Sequence, residues 1–219
     1  VGGVCGKSGM LTAGCHAEWT ESAHVKIASD RSNFGGVTGL TQAESNYAFL
    51  VGCYALCKGR VEIEPKNGTD YTANAGGIAG TLANSTIAGC TVKAKNIYGH
   101  NASSPSLIGV SGIAAYVVGV SSVSDCKAYA TLIRNSTVLG TEDASVTPDN
   151  LFGMGMIVGI DAGTTTVTNC GVGGSFYLGA SEKPQELILT LDADSYAKGI
   201  IGSGKTATVG GCYYWNGEE

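Results

Sequence analysis

The sequence predicts an all-β fold, a parallel β-solenoid of about six coils in a single domain that spans residues 1–219. Three observations predict it: a motif that recurs six times, an alternation of apolar and polar residues with period two, and a high glycine content. The 34 glycines stand against only 4 prolines, which suits a chain with many tight corners. No segment shows the apolar spacing of an amphipathic helix.

The repeated motif consists of glycine, a large apolar residue, any residue and glycine, then a short gap and apolar-x-x-Cys-x-apolar. Successive cysteines of the motif lie 38, 37, 36, 44 and 42 residues apart, so each unit of 36 to 44 residues is predicted to form one coil. The glycine–apolar pairs are Gly3-Val4, Gly36-Val37, Gly77-Ile78, Gly112-Ile113, Gly155-Met156 and Gly199-Ile200, and the cysteines that follow them are Cys15, Cys53, Cys90, Cys126, Cys170 and Cys212.

The residues around each cysteine predict a bend followed by a strand. The cysteine and the residue two positions later are mostly small and apolar, and the residue between them is mostly polar or aromatic, as on a strand with one buried face. Glycine precedes the cysteine in four copies, whereas Asp125 and Asn169 replace it in the other two. A further strand follows in most copies. Polar loops are predicted at residues 69–74, 101–106 and 141–150, and an extra strand at residues 187–191.

A unit with three short strands cannot bury its own apolar face, but copies stacked on one another can. Each strand would pair in parallel with its counterpart in the next coil, about 4.8 Å away. We expect right-handed coils, the usual hand of parallel crossovers. A β-propeller has repeats of similar length but needs four strands per blade, so three strands favour the solenoid.

The motif resembles the GLUG repeat of bacterial surface and secreted proteins, and the resemblance extends over nearly the whole chain. The resemblance implies an exported protein, extracellular or attached to the bacterial cell surface, often beside adhesive or host-interacting modules. It implies no set of catalytic residues. Because the chain begins inside a glycine–apolar element, we expect neighbouring domains in a longer protein.

The six motif cysteines are predicted to stack as an internal ladder of mostly reduced, buried thiols. Coils lie about 4.8 Å apart, whereas bridged Cβ atoms lie roughly 3.8 Å apart, so disulfides between all neighbouring cysteines would need local distortion. Cys5 and Cys57 lie outside the ladder, and a disulfide that involves one of them remains an alternative. Cys53 and Cys57 have a spacing that zinc ligands can have, but no second pair accompanies them, so neither a metal nor another cofactor is predicted.

An enzyme is the main alternative, because solenoids can carry polysaccharide hydrolases and lyases. Glycoside hydrolysis commonly uses two convergent carboxylates. The pairs Glu62 with Glu64 and Asp192 with Asp194 would each face one side of a strand, but a solvated surface explains them better. The three histidines, His16, His24 and His100, suggest no catalytic triad. We therefore predict that the chain is not an enzyme.

Four aromatic residues give the best indication of a binding site: Tyr54, Tyr129, Tyr213 and Trp215. All four fall on positions predicted to face outward near a motif cysteine. Tyrosine and tryptophan combine a large contact area with a polar group, so they could stack on sugar rings or contact a partner protein. Isolated surface aromatics, or contacts with a neighbouring domain, are the alternative interpretation.

The charge and the hydropathy exclude other classes. A net charge of −5 opposes a nucleic-acid partner, which needs a basic surface. No apolar run reaches the ~18 residues of a membrane span, so no membrane insertion is expected. The sequence predicts an extracellular adhesion or ligand-binding module for a glycan or a host or bacterial surface protein. A polysaccharide-degrading enzyme and a passive spacer are the alternatives.

Overall fold

The computed structural model describes residues 1–29, 31–42, 47–65, 72–101, 107–136, 153–179, 186–204 and 207–218. These residues form 24 strands and a short 3-10 helix at Tyr196–Gly199. The strands are β1 (Cys5–Ser8), β2 (Leu11–Ala13), β3 (His16–Trp19), β4 (His24–Ala28), β5 (Arg31–Gly35), β6 (Thr38–Gln42), β7 (Ala48–Val51), β8 (Tyr54–Glu64), β9 (Thr72–Gly76), β10 (Ala79–Ala83), β11 (Ser85–Ala88), β12 (Thr91–Asn101), β13 (Leu107–Ser111), β14 (Ala114–Val118), β15 (Val120–Ser124), β16 (Lys127–Ser136), β17 (Met154–Gly155), β18 (Val158–Asp161), β19 (Thr164–Thr168), β20 (Gly171–Gly179), β21 (Glu186–Leu191), β22 (Ile201–Ser203), β23 (Thr208–Gly210) and β24 (Tyr213–Tyr214).

The strands form four sheets that surround one core, and the predicted β-solenoid is confirmed. Along each complete turn the chain passes through sheets A, B, C and D in order, and the strands pair in parallel with their counterparts in the neighbouring coils. The strand orders are β5-β9-β13-β17 in sheet A, β1-β6-β10-β14-β18-β22 in sheet B, β2-β7-β11-β15-β19-β23 in sheet C, and β3-β8-β12-β16-β20-β21 in sheet D, where β4 also pairs with β8 and β24 with β20.

The number of complete turns is about four, slightly fewer than the six coils expected. Sheets B and C contain one strand from each of the six repeats, but sheet A contains four strands in the described part of the chain. At the first repeat, Gly2 makes only an isolated bridge with Gly35. At the last repeat, the 3-10 helix Tyr196–Gly199 precedes β22 in place of a sheet A strand.

Each complete turn has four strands rather than the predicted three, because sheet A lies partly where polar loops were expected. β9 begins at Thr72 and β12 continues to Asn101. Asn74 of β9 is buried, and its side-chain amide donates a hydrogen bond to Asn33 Oδ1 at 3.0 Å. Ala73 and Ala75 are the core-facing residues of β9, so Asn74 lies on the opposite face of the strand. Residues 102–106 and 141–150, which are most of the second predicted loop and all of the third, lie outside the described residues.

The bend before each ladder cysteine is confirmed as a left-handed backbone position. φ at the residue before the cysteine is +61° in Gly14 and +60° in Gly52, and +53° and +56° in Asp125 and Asn169. Asp and Asn tolerate this region better than other residues with a Cβ, because their short side chains bond locally. The two departures from glycine therefore preserve the same corner.

The ladder cysteines point into the core at this corner. The predicted interior column is confirmed: four of them are buried and the two at the ends, Cys15 and Cys212, are partly exposed. Each thiol donates a hydrogen bond to the carbonyl oxygen two residues earlier, at 3.1 Å in Cys126 and 3.3 Å in Cys170. All eight cysteines are free thiols, including the buried Cys57 and the partly exposed Cys5.

Sheet D ends in two short strands that share the last position. β24 continues the parallel ladder along Gly171 and Val172, while β21 pairs antiparallel with the second half of β20. The extra strand predicted at residues 187–191 is therefore present, and Leu191 at its end is buried in the core. In the described residues, no helix is long and apolar enough to cross a membrane.

Candidate functional site

The outer face of sheet D is bent across the middle of its long strands. Between β8 and β12, Lys58 and Gly59 together oppose Lys95, and between β12 and β16 the register shifts again after Ala94. In the first coil the strand is interrupted altogether, since β3 ends before β4 begins. Such bulges bend a sheet and redirect side chains, and they are frequent beside functional sites.

A groove with a volume of about 330 Å³ lies along this bend. We call it the sheet D groove. Leu56, Lys58, Lys93, Lys95, Tyr129 and Thr131 contribute to its lining, together with Glu21 from the turn between β3 and β4. These side chains offer one aromatic ring, an aliphatic contact, a hydroxyl and three ammonium groups, a combination that suits a small polar ligand with an apolar face.

Tyr129 is the predicted aromatic residue that lines the sheet D groove. Its side chain is 39% exposed. The Trp215 ring meets it edge to face, with ring centroids 6.4 Å apart. The backbone of Gly217 lies against the Tyr129 ring, because a Cβ atom there would be 2.9 Å from a ring carbon. These contacts fix the orientation of Tyr129 and leave part of the ring open to a ligand.

Trp215 is not the exposed surface residue that its outward position predicted. It is only 7% exposed, and its indole N–H donates a hydrogen bond to the backbone oxygen of Glu218. The fifth coil has Gly171 and Gly173 on this face, so no side chain separates Trp215 from Tyr129 in the fourth coil. Trp215 therefore packs against Tyr129 and does not present its ring to solvent.

Tyr213 and Tyr54 lie outside the sheet D groove. Tyr213 is 41% exposed and lies over Gly171, next to Trp215. Tyr54 lies four coils away from Tyr213, which corresponds to about 19 Å at the spacing of paired strands. The register that connects them is Tyr54–Thr91–Lys127–Gly171–Tyr213. The Tyr54 ring packs edge to face on His16, with centroids 4.9 Å apart. The structure therefore gathers Tyr129, Tyr213 and Trp215 at one end of the face and leaves Tyr54 at the other.

The lysines around the groove differ in their partners, because one forms an ion pair and two contact an aromatic ring. Lys58 Nζ lies 2.8 Å from Glu18 Oε1, and this hydrogen-bonded contact raises the pKa of Lys58 and lowers that of Glu18. Lys93 and Lys127 instead lie over the Trp215 ring, with Nζ 5.6 Å and 5.5 Å from its centroid. Within the described ranges, no carboxylate lies within 4 Å of Lys93, Lys95 or Lys127.

On the other side of the bend, Glu62 belongs to a charged cluster rather than to the solvated surface that was expected. It is buried, and its carboxylate lies 3.0 Å from both His24 Nε2 and Arg60 Nη2 and 3.5 Å from Lys26 Nζ. Burial raises the pKa of Glu62, but the His24 hydrogen bond and the charges of Arg60 and Lys26 outweigh it and lower the pKa overall.

This charged cluster does not resemble a hydrolytic pair. A general acid needs a raised pKa so that it holds a proton near neutral pH, and Glu62 is shifted the other way. Glu64, its predicted companion, forms an ion pair with Lys26, whose Nζ lies 2.6 Å from Glu64 Oε2. Both carboxylates therefore form ion pairs with Lys26 of the neighbouring coil. We assign the cluster the role of joining β4, β8 and β12, because His100 Nε2 also approaches Glu64 at 3.9 Å.

Asp192 and Asp194 do not share one face of a strand, since β21 ends at Leu191. They lie in the turn that precedes the 3-10 helix. Asp192 Oδ1 accepts hydrogen bonds from the backbone N–H groups of Asp194 and Ser195 and from the Ser195 hydroxyl. The Ser195 hydrogen bonds lower the pKa of Asp192. This carboxylate therefore closes a turn.

The groove lysines were missed in the sequence, although a signal for them was present. Lys93 stands three residues after Cys90, on the same outward column as Tyr129, and Lys58 and Lys95 stand five residues after Cys53 and Cys90. Each cation occurs in only one or two copies, so a search for residues shared by all copies does not detect them. The bulges that bring these lysines together depend on pairing between coils, so the spacing of residues in the sequence does not predict them.

Comparison of the chain with protein-family models, curated proteins and solved structures found no match.

Proposed function

We propose that this chain is a ligand-binding module that holds a glycan in the sheet D groove. The observation that carries the proposal is the partly exposed Tyr129 ring, fixed by Trp215 and Gly217 and surrounded by polar groups. An aromatic ring can cover the apolar face of a pyranose, while lysine and threonine side chains bond its oxygen atoms.

The backbone around the groove favours a ligand held by side chains over an added peptide strand. β8, β12 and β16 each pair with a strand on both sides, so their backbone hydrogen bonds are already used. Recognition by strand addition needs a free sheet edge. A glycan needs no such edge, because its hydroxyl groups bond side chains.

The wider setting is also part of the proposal. The GLUG-like repeats support an exported bacterial protein that displays its groove outside the cell or on the cell surface. A stack of coils gives an extended, rigid body, and such bodies commonly present binding surfaces. The ion-paired Glu62 and the turn-forming Asp192 support binding without cleavage.

The test is a binding screen of the purified chain against a panel of neutral and acidic polysaccharides, which follows both retention and product release. We expect binding without products. Tyr129→Ala should weaken the binding about tenfold, equivalent to about 1.4 kcal/mol. Phe49→Ala is the matched control, since Phe49 is a similarly exposed aromatic residue on sheet C and should leave binding unchanged.

Release of products would show an enzyme and would overturn the proposal. Failure to bind any glycan, with the fold intact by circular dichroism, would leave the spacer or a protein partner as the better explanation. Equal losses in Tyr129→Ala and Phe49→Ala would place the ligand elsewhere on the solenoid.

A further inference from the structure

The charge around the sheet D groove is opposite to that of the whole protein. Three lysines, Lys58, Lys93 and Lys95, and one glutamate, Glu21, line the groove, so its lining carries a net charge of +2. The chain as a whole carries −5. Clustering of cations in an acidic protein concentrates a positive potential at this one depression.

Lys93, Lys95 and Lys127 keep their charge available to a ligand. Trp215 holds the ammonium groups of Lys93 and Lys127 near its ring face, a contact that orients a cation without neutralising it. Lys95 is exposed at the bulge and has no carboxylate within 4 Å among the described residues. An anion that enters the groove would therefore meet cations that no carboxylate of the described residues neutralises.

We propose that the ligand of the sheet D groove is an acidic glycan, one whose pyranose rings carry carboxylate groups. This inference rests on the proposed function and specifies its ligand. The ring face packs on Tyr129, the carboxylates pair with Lys93 and Lys95, and the Thr131 hydroxyl bonds a ring substituent. Trp215 is a positioning residue, which acts through Lys93, Lys127 and Tyr129.

The experiment measures binding of oligogalacturonate and oligomannuronate to the whole chain by calorimetry, with the methyl ester of oligogalacturonate as the uncharged counterpart. We expect the acidic form to bind at least tenfold more tightly than the ester. Added salt should weaken only the binding of the acidic form, because exposed ion pairs are screened. Lys95→Gln should lower the affinity for oligogalacturonate about tenfold and the affinity for the ester much less, because glutamine can still donate a hydrogen bond.

Lys7→Gln is the matched control, because it removes an exposed lysine from β1 of sheet B, away from the groove. It should leave every affinity unchanged. A second variant, Trp215→Phe, retains a ring while losing the indole N–H. It should lower the affinity for oligogalacturonate less than Lys95→Gln does, since its benzene ring still supports Lys93.

Each contrary result has a distinct meaning. Equal binding of the acid and the ester would overturn the acidic ligand and leave glycan binding in place. Binding of neither would overturn both proposals. Binding of a single-stranded oligothymidylate as tight as that of oligogalacturonate would overturn the inference as well, because it would show attraction of any polyanion.

Discussion

At the scale of single residues, one corner determines which side chains the repeat allows. The position before each ladder cysteine has a left-handed backbone, and Asp125 and Asn169 adopt it as glycine does elsewhere. Asn169 Nδ2 also donates a hydrogen bond to Asp125 Oδ1 in the next coil, at 3.4 Å. Asp125 and Asn169, which replace glycine, thus lie in successive coils and form a hydrogen bond with each other. Both keep the left-handed backbone of the corner.

Cys57 is a buried thiol outside the cysteine ladder, and its ionisation makes the stability of the fold decrease at alkaline pH. Burial raises its pKa to about 11 from an ordinary value of 9.0. Because the folded state favours the neutral thiol, its contribution is complete below pH 9 and is lost as the pH rises to about 11. Cys57 pairs with Ala94 in the next coil, which in turn pairs with Ala130, so alanine fits this interior column.

We therefore expect the free energy of unfolding of the wild type, relative to Cys57→Ala, to decrease by on the order of 2 kcal/mol between pH 9 and pH 11. Urea unfolding with reductant present measures it, and the difference between the two proteins cancels the other titrating groups. A difference that stays constant over this interval would contradict the burial of a neutral thiol at Cys57.

Residue patterns predicted the core better than the candidate site. The cysteine column follows from a residue that recurs in every copy and the bend from a glycine that recurs in four, and the structure places both as expected. Tyr129 was predicted to face outward, and its ring is partly exposed as expected. Trp215 was misassigned because its burial depends on Gly171 and Gly173 in another coil, and no local pattern contains that relation.

At the scale of strands, the long strands of sheet D carry both the groove and the charged cluster. The two strands predicted after each cysteine are joined in β8, β12, β16 and β20, with bulges between β8, β12 and β16. The sequence predicted the two halves, since each half alternates. It did not predict sheet A, whose strand β9 begins inside an expected polar loop, or the bulges, which depend on pairing between coils.

β21 gives a clear test of how the last coil is stabilised. Leu191 is 2% exposed and packs against Gly199 and Phe176, whereas Leu187 on the same strand is 52% exposed. We expect Leu191→Ala to lower the free energy of unfolding by about 2–5 kcal/mol, the cost of a large-to-small change in a core. Leu187→Ala should change it by no more than about 0.5 kcal/mol.

Chemical denaturation of both β21 variants against the wild type provides the measurement. Similar small effects of the two substitutions would show that β21 is peripheral to the core. Similar large effects would show that the outer side of this strand is also covered. Only the predicted difference agrees with a strand that closes sheet D through one buried face.

At the scale of the whole molecule, stability and binding are separable because every coil contributes to stability, whereas only some coils contribute to the candidate site. Each strand of the solenoid pairs mainly with its counterparts in adjacent coils, so the fold is a sum of similar layers. The candidate site is not repeated, since its cations come from the second, third and fourth coils and its ordered ring from the fourth. The repeated cysteine motif thus predicted the solenoid, whereas the candidate site consists of residues that differ from one copy to the next.

Deletion of residues 77–111 would remove one complete coil and test this separation. Gly76 would then precede Gly112, as it now precedes Gly77, so β9 would continue into β14 and β8 would pair with β16. We expect a protein that retains the circular dichroism of β-structure and unfolds cooperatively at a lower urea concentration, because it has one fewer interface between coils.

Binding should respond differently from folding in the same deletion. Lys93 and Lys95 lie in the removed coil, whereas Tyr129, Tyr213 and Trp215 remain. Because the cations are lost and the aromatic cluster is kept, oligogalacturonate should bind at least tenfold more weakly, while its methyl ester loses less affinity. An unfolded deletion protein would contradict the independence of the layers, and undiminished binding of oligogalacturonate would place the acidic ligand outside the sheet D groove.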